Sequence, residues 1–182
     1  MTDESVQFEV DDAIVLLLGA PAQSPSLRGR IEGITRLEKL VFLLERETEL
    51  GKLLTEPPEF EPHNFGPFSA KVYQAVETLE SADLITDSAV LAPTEEDSWE
   101  SDQLIGEEPA TAFTTRDFEL TDLGRRYYNA LLSELPSNTE AVLQAFKDRF
   151  AGLPLRQLIR YVYTRYDDQT TKSVIREQIL GK

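Results

Sequence analysis

Few side chains in this chain could do chemistry, and their spacing narrows what that chemistry would be. His63 is the one histidine, next to Asn64 and a Gly66-Pro67 turn, and there is no cysteine. Thiolate nucleophiles, disulfides and cysteine metal sites are therefore excluded. A zinc site would need carboxylates gathered around a single imidazole, an uncommon ligand set. No Gly-rich loop ends in Gly-Lys-Ser or Gly-Lys-Thr, so that phosphate cradle is missing as well. Nothing marks an activated serine, and His63 before a turn reads as a turn or packing residue. The expectation is a non-enzyme with no catalytic residue, no metal and no cofactor.

Contact chemistry is better represented. Ser69, Lys71 and Gln74 fall where a helix begins, the place from which a recognition helix faces base edges. The amides of such a helix start could hold a phosphate, and a solvated helix start is the plain alternative. The bases are grouped: Arg28, Arg30, Arg36 and Lys39 come first, then Arg125-Arg126, then Arg156, Arg160 and Arg165, with Lys172 and Arg176 beyond. The four-residue step from Arg156 to Arg160 places them on one helix face. Such a set could track phosphates or pair with the surplus carboxylates. The DNA-contact candidates are Ser69, Lys71, Gln74, Arg28, Arg30, Arg36, Lys39, Arg125 and Arg126. Between Lys71 and Arg116 the chain has no base, while acids run from Glu77 to Glu108. Trp99, the one tryptophan, sits among those acids and is the candidate contact for a protein partner.

The bulk properties set limits on partners. The 182 residues carry 33 acids against 18 bases, a formal charge of −15, and 41% are apolar. Such an excess repels polyanions at long range, so DNA binding would need a local basic patch. The 12 arginines outnumber the 6 lysines. Either a salt-rich cytosol, where screening shortens to a few Å, or plain acidity accounts for this. The start, Met-Thr-Asp-Glu-Ser, is acidic where a signal peptide is basic. The run Ala13 to Leu18 is too short to span a bilayer. A cytoplasmic protein with no membrane association is expected.

These groups must be positioned by helices for the most part. "DDAIVLLLG" from Asp11 opens with acids that suit a helix dipole and stops at Gly19. Ile34, Leu37, Leu40, Val41 and Leu44 have helical spacing over 35–50, with Thr35 and Glu38 in capping-box positions. Gly66-Pro67 is turn chemistry, and Ser69 predicts the N-cap of a helix over 70–81 with Phe68, Val72, Val76 and Leu79 on its face. Phe60, Phe65 and Phe68 are expected under that turn, fixing the angle between the two helices. Strands follow at 84–86 and 113–120, separated by an acidic loop, 87–112, longer than structureless loops usually are. Thr121 caps a helix with Leu123, Tyr127 and Leu131 as its expected buried stripe. Helices at 138–151, 155–166 and 173–180 complete the chain.

"ITRLEKLVFLLERE" followed by "FEPHNFGPFSAKVYQAVETLESADLI" resembles the Panacea domain of SocA-like antitoxins and related uncharacterised prokaryotic proteins. The matching positions are Leu37, Lys39-Leu40-Val41 and Leu43-Leu44, then Phe65-Gly66-Pro67-Phe68-Ser69. "FELTDLGRRYY" is similar to the strand-to-helix junction of winged-helix regulators. The resemblance, covering roughly residues 31 to 130, implies a DNA-binding regulator or an antitoxin-like module that grips a protein, and implies no catalysis. The expected fold class is mainly α with a small β-hairpin: a winged helix-turn-helix over 1–135 and a helical extension over 136–182. Two functions stand open. One is a DNA-binding transcription regulator. The other is a protein-interaction module that holds a partner by its acidic loop and binds no DNA. The apolar faces of 138–180 predict a homodimer.

Overall fold

The computed structural model describes residues 6–63, 66–91, 114–167 and 179–180. At its centre lies α1 (Val10–Gly19), whose side chains from Ala13 to Leu18 are all fully buried. A helix apolar all round must be covered on every side. Here the helices over 70–81, 122–134 and 139–150 and the sheet pack around it. A 3₁₀ turn (Pro25–Leu27) and the short strand β1 (Arg30–Glu32) lead to α2 (Ile34–Glu47). The sequence does not announce β1, because three residues give no alternation to read. Gly33, not Thr35, is the N-cap of α2, and Thr35 is buried with its hydroxyl unpartnered. The capping-box expectation fails because Glu38 is turned to another task.

A second 3₁₀ turn (Glu49–Leu53) precedes a two-stranded hairpin, β2 (Glu61–His63) and β3 (Gly66–Phe68). Next comes α3 (Ala70–Ser81), with the Ser69 side chain accepting from the Val72 amide as its cap. β4 (Ile85–Leu91) and β5 (Thr114–Leu120) pair antiparallel, and β1 adds to the far side of β5. Ile31 lies opposite Phe118, and both are buried. Thr121 caps α4 (Asp122–Glu134) by accepting from the Gly124 amide. The buried positions of α4 are Gly124 and Tyr128. Leu123 and Tyr127, expected in the core, face outward at 40% and 37% exposure. The ring of Tyr128 lies against Gly19 so closely that no side chain could replace that glycine.

α5 (Thr139–Phe150) and α6 (Leu155–Arg165) share the same hydrophobic core as the rest. Leu155, Leu158, Ile159 and Val162 are buried within the single chain, and Tyr166 stands edge-on to Phe42 at 5.0 Å. The described apolar positions of the surface assigned to a homodimer thus pack within the chain, while Val174 and Ile175 lie outside the described residues. The architecture is mainly helical, with a small antiparallel sheet. No helix among the described residues is long and apolar enough to cross a membrane. Trp99, nearly all of the acidic loop, and the terminal helix up to residue 178 lie outside the described residues.

Candidate functional site

The Gly66-Pro67 turn is held from below by α2. Lys39 Nζ donates to the Pro67 carbonyl at 2.9 Å, and the Ser69 amide donates to the Glu38 carboxylate at 3.1 Å. The Ser69 hydroxyl donates to the Pro58 carbonyl. Glu38 and Lys39 are each 2% exposed. Burial pushes the Glu38 carboxyl up to about 8 and the Lys39 amine down to about 8, against their mutual attraction. Gly66 has φ +93°, and a Cβ there would sit 2.7 Å from the Tyr163 ring. Phe60 meets Phe42 edge-on at 5.1 Å, and Phe68 lies between His63 and Tyr73. Phe65 lies outside the described residues.

Lys39 and Ser69 are therefore buried parts of the turn and cannot reach a phosphate backbone. This corrects their assignment as contact residues, and the physical reason is the buried Pro67 and Pro58 carbonyls to which they donate. Arg28 donates to the Ala22 and Gln23 carbonyls, and Arg30 pairs with Asp117 at 2.6 Å. Arg36 donates to the carbonyls of Glu32, Ala151 and Leu153. Arg125 donates to Gly19 O at 3.2 Å and lies over the Tyr128 ring. Lys71 is shared between Glu59 at 3.2 Å and Glu56 at 3.4 Å, and the Glu59 carboxylate foremost holds its ammonium above the usual range. Gln74 and Arg126 are exposed. The candidates fall into separate groups, with Arg125 lying against Gly29 between Arg28 and Arg30, and Lys39 and Ser69 at the Gly66-Pro67 turn. Most of them serve the fold.

What does converge is acidic. A groove of about 330 Å³ runs between the start of α1, residues 55–56 and the outer face of α3. Glu9, Asp11, Glu56, Lys71, Gln74 and Thr78 line it. Burial, then the nearby Glu9 and Asp12 charges, push the Asp11 carboxyl up. Further along α3, Glu77 and Glu80 are exposed. On the other side of the α1 start, Tyr127 donates to Asp12 Oδ1 at 2.6 Å, and Asp12 also accepts from the Glu9 amide at 3.0 Å. The sequence signal for this site was the acids at 9, 11 and 12, more than a helix dipole needs. Their meeting with α3 is a tertiary fact.

Bases collect elsewhere. On α5 and α6, Arg149 stacks 4.6 Å from the Phe150 centroid and 5.6 Å from that of Tyr161, and Arg160 is exposed. Arg165 pairs with Glu47 at 2.8 Å, and Glu47 also accepts from the Tyr161 and Tyr166 hydroxyls. Despite its partial burial, the Tyr166 and Tyr161 hydroxyls and Arg165 hold Glu47 below the usual carboxylate range. Among the described residues no group of three His, Asp or Glu side chains is placed to hold a metal ion. No protein-family model, curated protein or solved structure matches this chain. The meaning of the site rests on its own geometry.

Proposed function

We propose that the chain is a non-enzymatic winged-helix module that holds a protein partner and does not read DNA. The element order α1, β1, α2, α3, β4, β5, with the sheet ordered β1-β5-β4, supports a winged helix whose wing is the β4–β5 hairpin. In that reading β2 and β3 are an insertion before the second helix of the helix-turn-helix. The resemblance to antitoxin-like proteins supports the same fold, because its most specific part, the Gly66-Pro67 turn, is held by Lys39, another of its matching positions.

One observation carries the choice between partners. The helix that would lie in a DNA groove presents Glu77, Glu80 and a Lys71 already shared by two carboxylates. DNA affinity comes largely from cations that replace condensed counterions, and this face offers almost none. Among the nine candidates the exposed ones, Arg28, Gln74, Arg125 and Arg126, favour the competing DNA reading. Anisotropy titrations against the flanking genomic DNA, from low to high salt, test the choice. No binding at low salt is expected. Binding that weakens when Lys71 and Gln74 are both replaced by Ala would overturn the proposal.

A further inference from the structure

Resting on that reading, we infer that the partner docks on the groove between α1 and α3 and on the exposed apolar step of α4. Its docking segment is amphipathic, with lysine or arginine on one side and large apolar residues on the other.

Two independent features of the surface require the two sides of that segment. The first is the groove, where Glu9, Asp11 and Glu56 face a single base, Lys71, that is itself divided between Glu56 and Glu59. Three carboxylates against one cation leave the groove net negative, even with Glu9 accepting from the Asp12 amide and Glu56 paired with Lys71. The Asp11 carboxyl is pushed up by burial and then by the Glu9 and Asp12 charges, and it gains a partner when a second cation enters. The second feature is apolar. Leu123 and Tyr127 stand four residues apart on α4, and with Val6 they are the large apolar side chains left exposed among the described residues. The Tyr127 hydroxyl bond to Asp12, next in sequence to the groove residue Asp11, sets this step beside the acidic end of α1. An apolar centre beside a charged rim is the anatomy of a protein interface. A partly exposed tyrosine anchored by its hydroxyl suits a contact hot spot. Amphipathic helices dock by presenting apolar anchors to such a surface.

The test uses the full chain and three labelled synthetic helical peptides. One has lysines on one face and leucines on the other, one is a scramble of the same composition, and one carries Glu in place of each Lys. The amphipathic basic peptide should bind, the Glu peptide should not, and the scramble should bind about tenfold more weakly, a difference an anisotropy titration resolves. The double variant Asp11→Lys, Glu56→Lys should lose about tenfold or more in affinity. The equally charged Glu119→Lys, Glu134→Lys should lose far less. Tyr127→Ala, which alters no charge, should weaken binding several-fold. Glu56→Gln serves as a milder groove variant, with circular dichroism checking that each variant folds. Equal losses from both double variants, or no effect of Tyr127→Ala, would overturn the docking site and leave the protein-binding reading standing. A dimeric mass in light scattering, with the peptide excluded, would name a second copy as the occupant and also overturn it. Binding of flanking DNA with no peptide bound would instead overturn the underlying reading.

Discussion

The two ends of α1 carry opposite charges for the same electrostatic reason and put them to different use. At the C-terminal end, Lys147 Nζ donates to the Leu18 and Ala20 carbonyls at 2.8 and 3.1 Å, and Arg125 donates to Gly19. These are carbonyls that a helix leaves without internal partners, at the negative end of its dipole. Lys147 is 1% exposed, so its place is fixed by the fold. At the N-terminal end the acids Glu9, Asp11 and Asp12 also suit the dipole. One of them, Asp12, is occupied with the Glu9 amide and the Tyr127 hydroxyl. Glu9 closes the capping box by accepting from the Asp12 amide, and Asp11 lines the open groove. Charge that is buried and matched one for one to carbonyls is structural. Charge left in surplus on a surface is available to a partner.

That contrast fails first where buried charge is most concentrated. Lys39→Met takes the donor from the buried Pro67 carbonyl and the cation from beside Glu38, whose carboxyl then rises further and holds its proton. The variant should destabilise the fold by about 1–3 kcal/mol in urea unfolding. Adding Glu38→Gln should recover part of the loss, since the amide oxygen still accepts from Ser69. A double variant as unstable as the sum of the singles would mean that the two groups are not coupled.

Lys147→Met should cost about 2–4 kcal/mol, because two buried carbonyls lose their donor. Burial, reinforced by Arg125, lowers the Lys147 amine from 10.5 to about 7. Between those values the unfolded chain holds one proton more than the folded one, so this group's contribution rises with pH. It is present above 10.5 and is lost as pH falls through about 7. A neutral amine still has the two N–H donors that two carbonyls need. The stability difference between the native chain and Lys147→Met should therefore widen from pH 7 towards 10, measured by unfolding at each pH. A flat difference would place a charged ammonium there.

The smallest effect belongs to the open end. Burial, and then the neighbouring Glu9 and Asp12 charges, push the Asp11 carboxyl up, so at neutral pH its ionisation opposes folding slightly. Asp11→Asn should leave the fold as stable or raise stability by about 0.2–0.5 kcal/mol, the scale of a like-charge helix pair. Thermal unfolding would measure it. A clear loss would assign Asp11 a structural part and remove the contrast between the two ends.

The sequence by itself determined most of the described helices and two of their caps. Ser69 and Thr121 stop the preceding chain and start α3 and α4 because their hydroxyls accept from amides two or three residues on, an interaction contained in local sequence. The run from Ala13 to Leu18 required a covered helix, and the turn chemistry of Gly66-Pro67 marked the bend before α3. Tertiary structure decided which charges are free. Lys39 and Arg125 look like surface bases in a linear reading, and only the fold brings the Pro67 and Gly19 carbonyls to them. The same is true of the α4 face. Leu123, Tyr127 and Leu131 and the set Gly124, Tyr128 and Leu132 have equal helical spacing, so periodicity cannot choose between them. Gly19 on α1, against which the Tyr128 ring lies, and Gly124, which lies close to the Leu84 carbonyl, made the choice, and this turned Leu123 and Tyr127 outward beside the acids.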